Sequence, residues 1–167
     1  MAIDASSLNV ILGQAGMGLC LGLAAIGSAL GIGTAGKAAA GAWAKEAKAG
    51  KTLNFAYIIL TGMPLSQTIY AFVLMFITLQ PEIVGSDAAV LTETLKTHGG
   101  TLFGIGVAAG LAELFSAWMQ GKIGAAGANA ISEGEGKGLV NIIIAMGICE
   151  TVGLFGFVFL LLVAPSI

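Results

Sequence analysis

The chain has 167 residues, of which 57% are hydrophobic and only 10% charged, against ~25% charged in ordinary soluble domains. That balance excludes a water-soluble globular domain. Seven lysines, no arginine and a net charge of -2 give no electrostatic basis for binding nucleic acid. Cys20 and Cys149 sit far apart inside apolar segments, a pattern of buried free thiols and not of a disulfide framework or close-spaced metal site.

Taken in chain order, the opening MAIDASSLN has no basic residue ahead of its apolar stretch, so the first helix is expected to stay in the mature protein. No charge occurs between Asp4 and Lys37, or between Lys51 and Glu82, and each interval exceeds the ~20 residues that cross a hydrocarbon core. A third apolar region follows His98 and reaches Lys122, interrupted by Glu113; a fourth runs from Leu139, interrupted by Glu150. Segments this long lack the ~10-residue alternation of a barrel, so they must satisfy their backbone groups as helices. The prediction is an all-α membrane protein with helices over 8–45, 52–80, 99–131 and 137–164, paired as hairpins 1–83 and 84–167 in one integral membrane unit.

Six of the seven lysines lie in or beside the two hairpin connections: Lys37, Lys45, Lys48 and Lys51 in one, Lys122 and Lys137 in the other. The positive-inside rule turns both connections to the cytoplasm. The termini and the acidic connection with Glu82, Asp87 and Glu93 then face outward. The hairpins read as copies of one unit. An offset of 83 carries Ile59, Met63, Thr68, Phe76 and Leu79 onto Ile142, Met146, Thr151, Phe159 and Leu162, and an offset of 85 carries Gly36-Lys37 onto Gly121-Lys122. Gln67 falls on Glu150, so one copy has a carboxylate where the other has an amide.

The first segment is rich in glycine, with Gly18-xxx-Gly22 and Gly27-xxx-Gly31, and the third repeats the pattern more thinly in Gly104, Gly106 and Gly110. Small residues at this spacing let helix backbones approach closely. Phe72, Phe76, Phe155, Phe157 and Phe159 fall on the second and fourth segments. Narrow helices inside and bulky ones outside suit the curved wall of a ring; a compact four-helix protein is the alternative.

An ionised carboxylate at mid-membrane costs at least ~2.5–3.5 kcal/mol, so a mid-span acid carries function or is held neutral. Glu150 is such a residue. Measured from the turns expected near Lys48 and residues 133–135, Gln67, Gln120 and Glu150 lie at similar depth, with Ser66 beside Gln67 and Tyr70 one turn on, able to donate to a carboxylate. Pro64 removes a helical donor and frees a carbonyl, formally that of Leu60. The layer reads either as a cation site or as amides and a hydroxyl bonded across helices to a protonated Glu150. Glu113, two turns before Gln120, lies ~10 Å further out and is expected to be a protonated acid hydrogen-bonded within the bundle, with an exit-side relay as the alternative. Gly31-xxxx-Gly36-Lys37 imitates a phosphate-binding loop, but Ala38 replaces its Ser or Thr and no strand precedes it. We read helix packing and a snorkelling lysine. No Ser-His-Asp or Cys-His arrangement accompanies the single histidine, His98, which falls in the outer connection.

Met63-Pro-Leu-Ser-Gln-Thr-Ile-Tyr70, Met119-Gln-Gly-Lys122 and Cys149-Glu-Thr151, with the duplicated hairpins and glycine-rich first helix, resemble the membrane rotor proteolipid of V-type ATPases, the c or K subunit, over nearly the whole chain. The sodium-transporting branch is the more similar. The resemblance implies Na+ held by the Met63 carbonyl, Ser66, Gln67, Gln120 and Glu150, with Tyr70 hydrogen-bonded to Glu150; H+ is the alternative ion. The chain departs from that branch in Ser66 for threonine, Leu65 for a small residue and the extra acid Glu113. The resemblance further implies a ring of identical subunits in lipid, a stator subunit supplying an arginine, a central-stalk subunit at the cytoplasmic loops, ATP hydrolysis elsewhere, and a bacterial cell membrane as the location. A secondary transporter and a membrane scaffold are the rival classes. The first lacks room for an enclosed substrate, and the second leaves a carboxylate among glutamines unexplained.

Overall fold

The computed structural model describes residues 4–81 and 88–164; Glu82 and Asp87 of the acidic connection lie outside them. Four helices, α1 (Ala5–Lys48), α2 (Ala56–Leu79), α3 (Ala88–Glu133) and α4 (Leu139–Val163), make up almost all of it, with no strand among the described residues. Each is long and apolar enough to cross a membrane. α1 and α3, of 44 and 46 residues, extend for about 66–69 Å at 1.5 Å per residue, twice a ~30 Å hydrocarbon core. Their ends therefore project from the bilayer.

The helix ends depart from the sequence expectation for local reasons. α1 starts at Ala5, before the expected residue 8, because the Asp4 carboxylate accepts the Ser7 N–H at 2.7 Å, a cap that also holds its carboxyl below the usual range. It runs on past 45 to Lys48, with Lys45 and Lys48 in a last turn whose carbonyls favour positive charge. α2 begins at Ala56 instead of 52. Asn54 binds the connection to α1, its N–H donating to Glu46 Oε2 (2.9 Å) and its carbonyl accepting from Trp43 Nε1 (3.0 Å), while its side-chain oxygen caps Ala56 N–H (2.9 Å). Residues 52–55 are thus committed to a turn. α3 starts at Ala88, well before 99, since residues 88–98 contain neither Gly nor Pro and dock on α1 through buried Leu95 and an Asn9 Nδ2–Lys96 carbonyl bond of 2.7 Å. His98, placed in the outer connection from sequence, is therefore helical. Gly136 and Gly138, at φ +90° and +91° where a side chain is strained, make the turn into α4. Lys51 and Glu135 pair across the two turns at 3.2 Å, an exposed contact worth at most about 1 kcal/mol.

α2 is irregular twice. Pro64, without an N–H, tightens Met63–Leu65 into one 3₁₀ turn, and Met75–Leu79 forms a π turn that nothing in the sequence had suggested. α1 and α3 form the inner pair. Gly16 lies on the backbone of Leu102 and Phe103, Gly27 on Leu114, Gly106 on Gly16 and Gly121 on Gly31, so a side chain at any of these would meet main chain. α2 and α4 lie against this pair, with Phe72, Phe76, Phe155 and Phe159 facing outward. Two apolar clusters result, one around Cys20, Ala71, Leu74 and Leu102, the other around Tyr57, Leu60, Ile131 and Met146. The polar residues of mid-span lie between them.

Candidate ion-binding site

Each helix brings its polar side chain to this layer by its register. The 3₁₀ turn at Pro64 sets the face of the following segment, so that Gln67 is fully buried and Ser66 and Tyr70 are half-buried. From α3, Gln120 is fully buried and Ser116 nearly so, one turn earlier. α4 supplies half-buried Glu150. Tyr70 Oη donates to Glu150 Oε1 at 2.8 Å, and Gln120 Nε2 donates to Glu150 Oε2 at 3.2 Å. Gln67 Nε2 donates to Gln120 Oε1 at 3.1 Å and to Ser116 Oγ at 3.2 Å. Ser66 Oγ, with a single proton shared between two acceptors, lies 3.1 Å from the Met63 carbonyl and 3.2 Å from Gln67 Oε1. The six residues singled out from sequence thus fall in one connected network.

Amide orientation within the network is fixed by partners that can only accept. Gln120 Nε2 also reaches the Met146 carbonyl at 3.2 Å, and Ser116 spends its proton on the Cys149 carbonyl at 3.1 Å, which leaves its oxygen to accept from Gln67. Both oxygens of Glu150 consequently accept. Gln120 presents its nitrogen, not its oxygen, to Glu150; its oxygen is turned to Gln67. Of the two carbonyls considered near Pro64, that of Met63 joins the network, whereas that of Leu60 lies against Gly124 of α3.

The donor set is chemically narrow. No group of three or more His, Cys, Asp or Glu gathers among the described residues. The layer offers carbonyl, hydroxyl, amide and carboxylate oxygens, which suit hard cations and not soft metals. Ser116 was missed in the sequence although it precedes Gln120 by four residues, one helical turn on the same face. Cys149 was likewise passed over; its Sγ reaches the Ser116 carbonyl at 3.6 Å. Glu113 departs from one part of its expectation, the hydrogen bond within the bundle: it is fully buried, yet neither carboxyl oxygen has a hydrogen-bond partner. Its side chain ends against Gly153.

Four membrane-length helices with one half-buried acid among polar side chains at mid-span define a polytopic membrane protein built around a buried polar layer. The sequence profile of the ATP synthase c subunit, the proteolipid, matches residues 15–78 and again residues 103–163. The chain belongs to this ATP synthase proteolipid family. No individual curated protein matches it. As a member of that family it is a non-catalytic rotor-ring proteolipid of a rotary ATPase, embedded in the membrane and assembled into an oligomeric ring with other subunits of the complex.

Proposed function

We propose that this chain is the sodium-carrying rotor subunit of a V-type rotary ATPase, and that its hairpins 1–83 and 84–167 descend from one duplicated unit with Glu150 as the single exchanging carboxylate. The observation that carries the reading is the convergence on Glu150 of hydrogen bonds from Tyr70 and Gln120 beside three further oxygen-bearing groups, the Met63 carbonyl, Ser66 and Gln67. An ionised carboxylate at this depth needs a neutralising cation. The Met63 carbonyl, Ser66 Oγ and Gln67 Oε1 are linked by hydrogen bonds of 3.1–3.2 Å, and with Gln120 Oε1 they supply the oxygens that replace the water of a dehydrated sodium ion. A proton needs only the carboxylate.

In this mechanism the loaded, neutral site faces lipid, and sodium leaves where a stationary membrane subunit offers the arginine this chain lacks. The difference in site stability between those surroundings couples ion movement to rotation. ATP hydrolysis elsewhere turns the ring through a central-stalk subunit that engages the lysine-rich turns on the cytoplasmic side of a bacterial membrane. Carbodiimides attack the protonated acid, and bound sodium keeps Glu150 ionised. Labelling of Glu150 should therefore fall as sodium rises at fixed ionic strength, at a pH where the sodium-free site is substantially protonated. Potassium that protects as well as sodium would replace the sodium reading with a proton-carrying Glu150.

A further inference from the structure

Glu113 is the one fully buried acid among the described residues, and the ion site does not use it. Its carboxyl has room because residue 153 is glycine: a methyl there would collide with Glu113 Oε2 and stand 3.0 Å from Ser116 Oγ. The register of the repeat shows that this room is particular to the second hairpin. The offset of 83 that pairs Gln67 with Glu150 also pairs Tyr70 with Gly153, and the offset of 85 pairs Ser28 with Glu113. One hairpin thus has a short hydroxyl on its first helix and a tyrosine on its second. The other has a long acid and no side chain. In the first hairpin the short hydroxyl is satisfied, with Ser28 accepting from Thr68 at 2.7 Å, while the acid in the second is left without a partner.

Cys20 on α1, Tyr70 on α2 and Glu150 on α4 are the titratable groups within electrostatic reach of Glu113, and none of them is a cation. Among the described residues the one ion pair is Lys51–Glu135 at the turns, so no lysine neutralises an ionised Glu113. A bare carboxylate in such a place costs many kcal/mol and takes up a proton instead. Sodium is a poor substitute, because among the described residues no oxygen or nitrogen donates a hydrogen bond to either carboxyl oxygen and no set of ligands gathers around them. Ser116, which donates to the Cys149 carbonyl and accepts from Gln67, keeps one acceptor position on the side of Gly153 that the acid occupies.

We propose that Glu113 is a second, proton-specific cation site of this protein, whose resident proton is retained while Glu150 exchanges its own ion. The retained proton has a consequence for Glu150, since two ionised carboxylates within one apolar bundle disfavour each other's charge. With Glu113 neutral, Glu150 is free to stay ionised and hold a metal cation. The inference builds on the rotor reading for its purpose, but its test does not depend on it.

Infrared spectra of rings reconstituted in lipid near neutral pH separate the two acids. Rings of Glu150→Gln should still show the carbonyl stretch of a protonated carboxylic acid, and the doubly substituted Glu150→Gln/Glu113→Gln protein should lose it. A missing band in the first, or an unchanged band in the second, overturns the proposal. If the double variant is not recovered, Glu150→Gln/Gly153→Ala gives a second reading, because the added methyl displaces the carboxyl and must shift the band; an unshifted band also overturns the proposal. The band reports on Glu113 in any assembled state, so a failure to find rings would count against the rotor reading alone.

Discussion

Glu150 is held from two sides by donors on different helices, and each can be removed alone. Glu150→Gln keeps the shape and removes the charge; it should abolish ion-coupled turnover of the assembled complex while the ring remains intact. Glu113→Gln should lower turnover only about threefold. Equal loss from both, measured as ion-dependent ATP hydrolysis, would refute a single exchanging carboxylate. Tyr70→Phe removes the 2.8 Å bond to Glu150. A hydrogen bond to a charged group contributes about 1.5–3 kcal/mol, so the sodium needed to protect Glu150 from carbodiimide should rise about tenfold or more. Ser116→Ala should act through Gln67, which it anchors at 3.2 Å, with a smaller shift of about threefold. Gln67, Gln120, Glu150 and Tyr70 were legible in the sequence because polar residues at one depth of apolar helices have little to bond with except one another. Ser116 was not, since a serine in a membrane helix commonly bonds back to its own helix and only a neighbouring helix reveals its second partner. Glu113 misled for a related reason. Composition says that an acid in an apolar span needs a partner, but a glycine one helix away can give it space without giving it a bond.

Helix ends and irregularities show the same division between what a chain states locally and what packing decides. The four helices follow from the spacing of charges, and Pro64 announces its own disturbance. Asn54, Asp4 and the stretch 88–98 set the actual boundaries through side-chain bonds to other segments or to the backbone, which a count of apolar residues does not register. The π turn at Met75–Leu79 has no sequence signal that we can name. Glycine was read as close packing, and the structure divides the glycines into two kinds. Gly27 and Gly121 lie on the backbone of the partner helix, whereas Gly18, Gly22 and Gly33 have open space where a side chain would go. Overpacking a tight contact costs about 1–3 kcal/mol for added methylenes and more where backbone blocks the way. Gly27→Leu or Gly121→Val should therefore separate α1 from α3 and lower the yield of folded protein severely. Gly18→Ala should leave the fold standing, as read by thermal stability of the purified protein.

At the scale of the whole molecule, the isolated chain leaves a broad apolar surface. Phe72, Phe76, Phe155 and Phe159 are exposed, as are Ile69, Ile148 and Val152 close in sequence to the ion site. Lipid can cover such a face, but Glu150 is only half-buried within one copy, and a carboxylate at that depth requires further shielding or a neutralising ion. Family membership supplies the remaining surface in the form of adjacent copies in the ring. The final prediction concerns this shielding. Purified in mild detergent, the protein should run on native gels as one high-mass species and appear as closed rings by electron microscopy. Phe72→Lys, which places a charge on the outward face next to the site, should reduce ring recovery far more than Glu150→Gln, which removes a charge. A protein that stays monomeric in both detergent and lipid, with sodium protection intact, would show that a single copy completes the site alone. It would remove the closed ring from the mechanism while leaving the cation site on Glu150 in place.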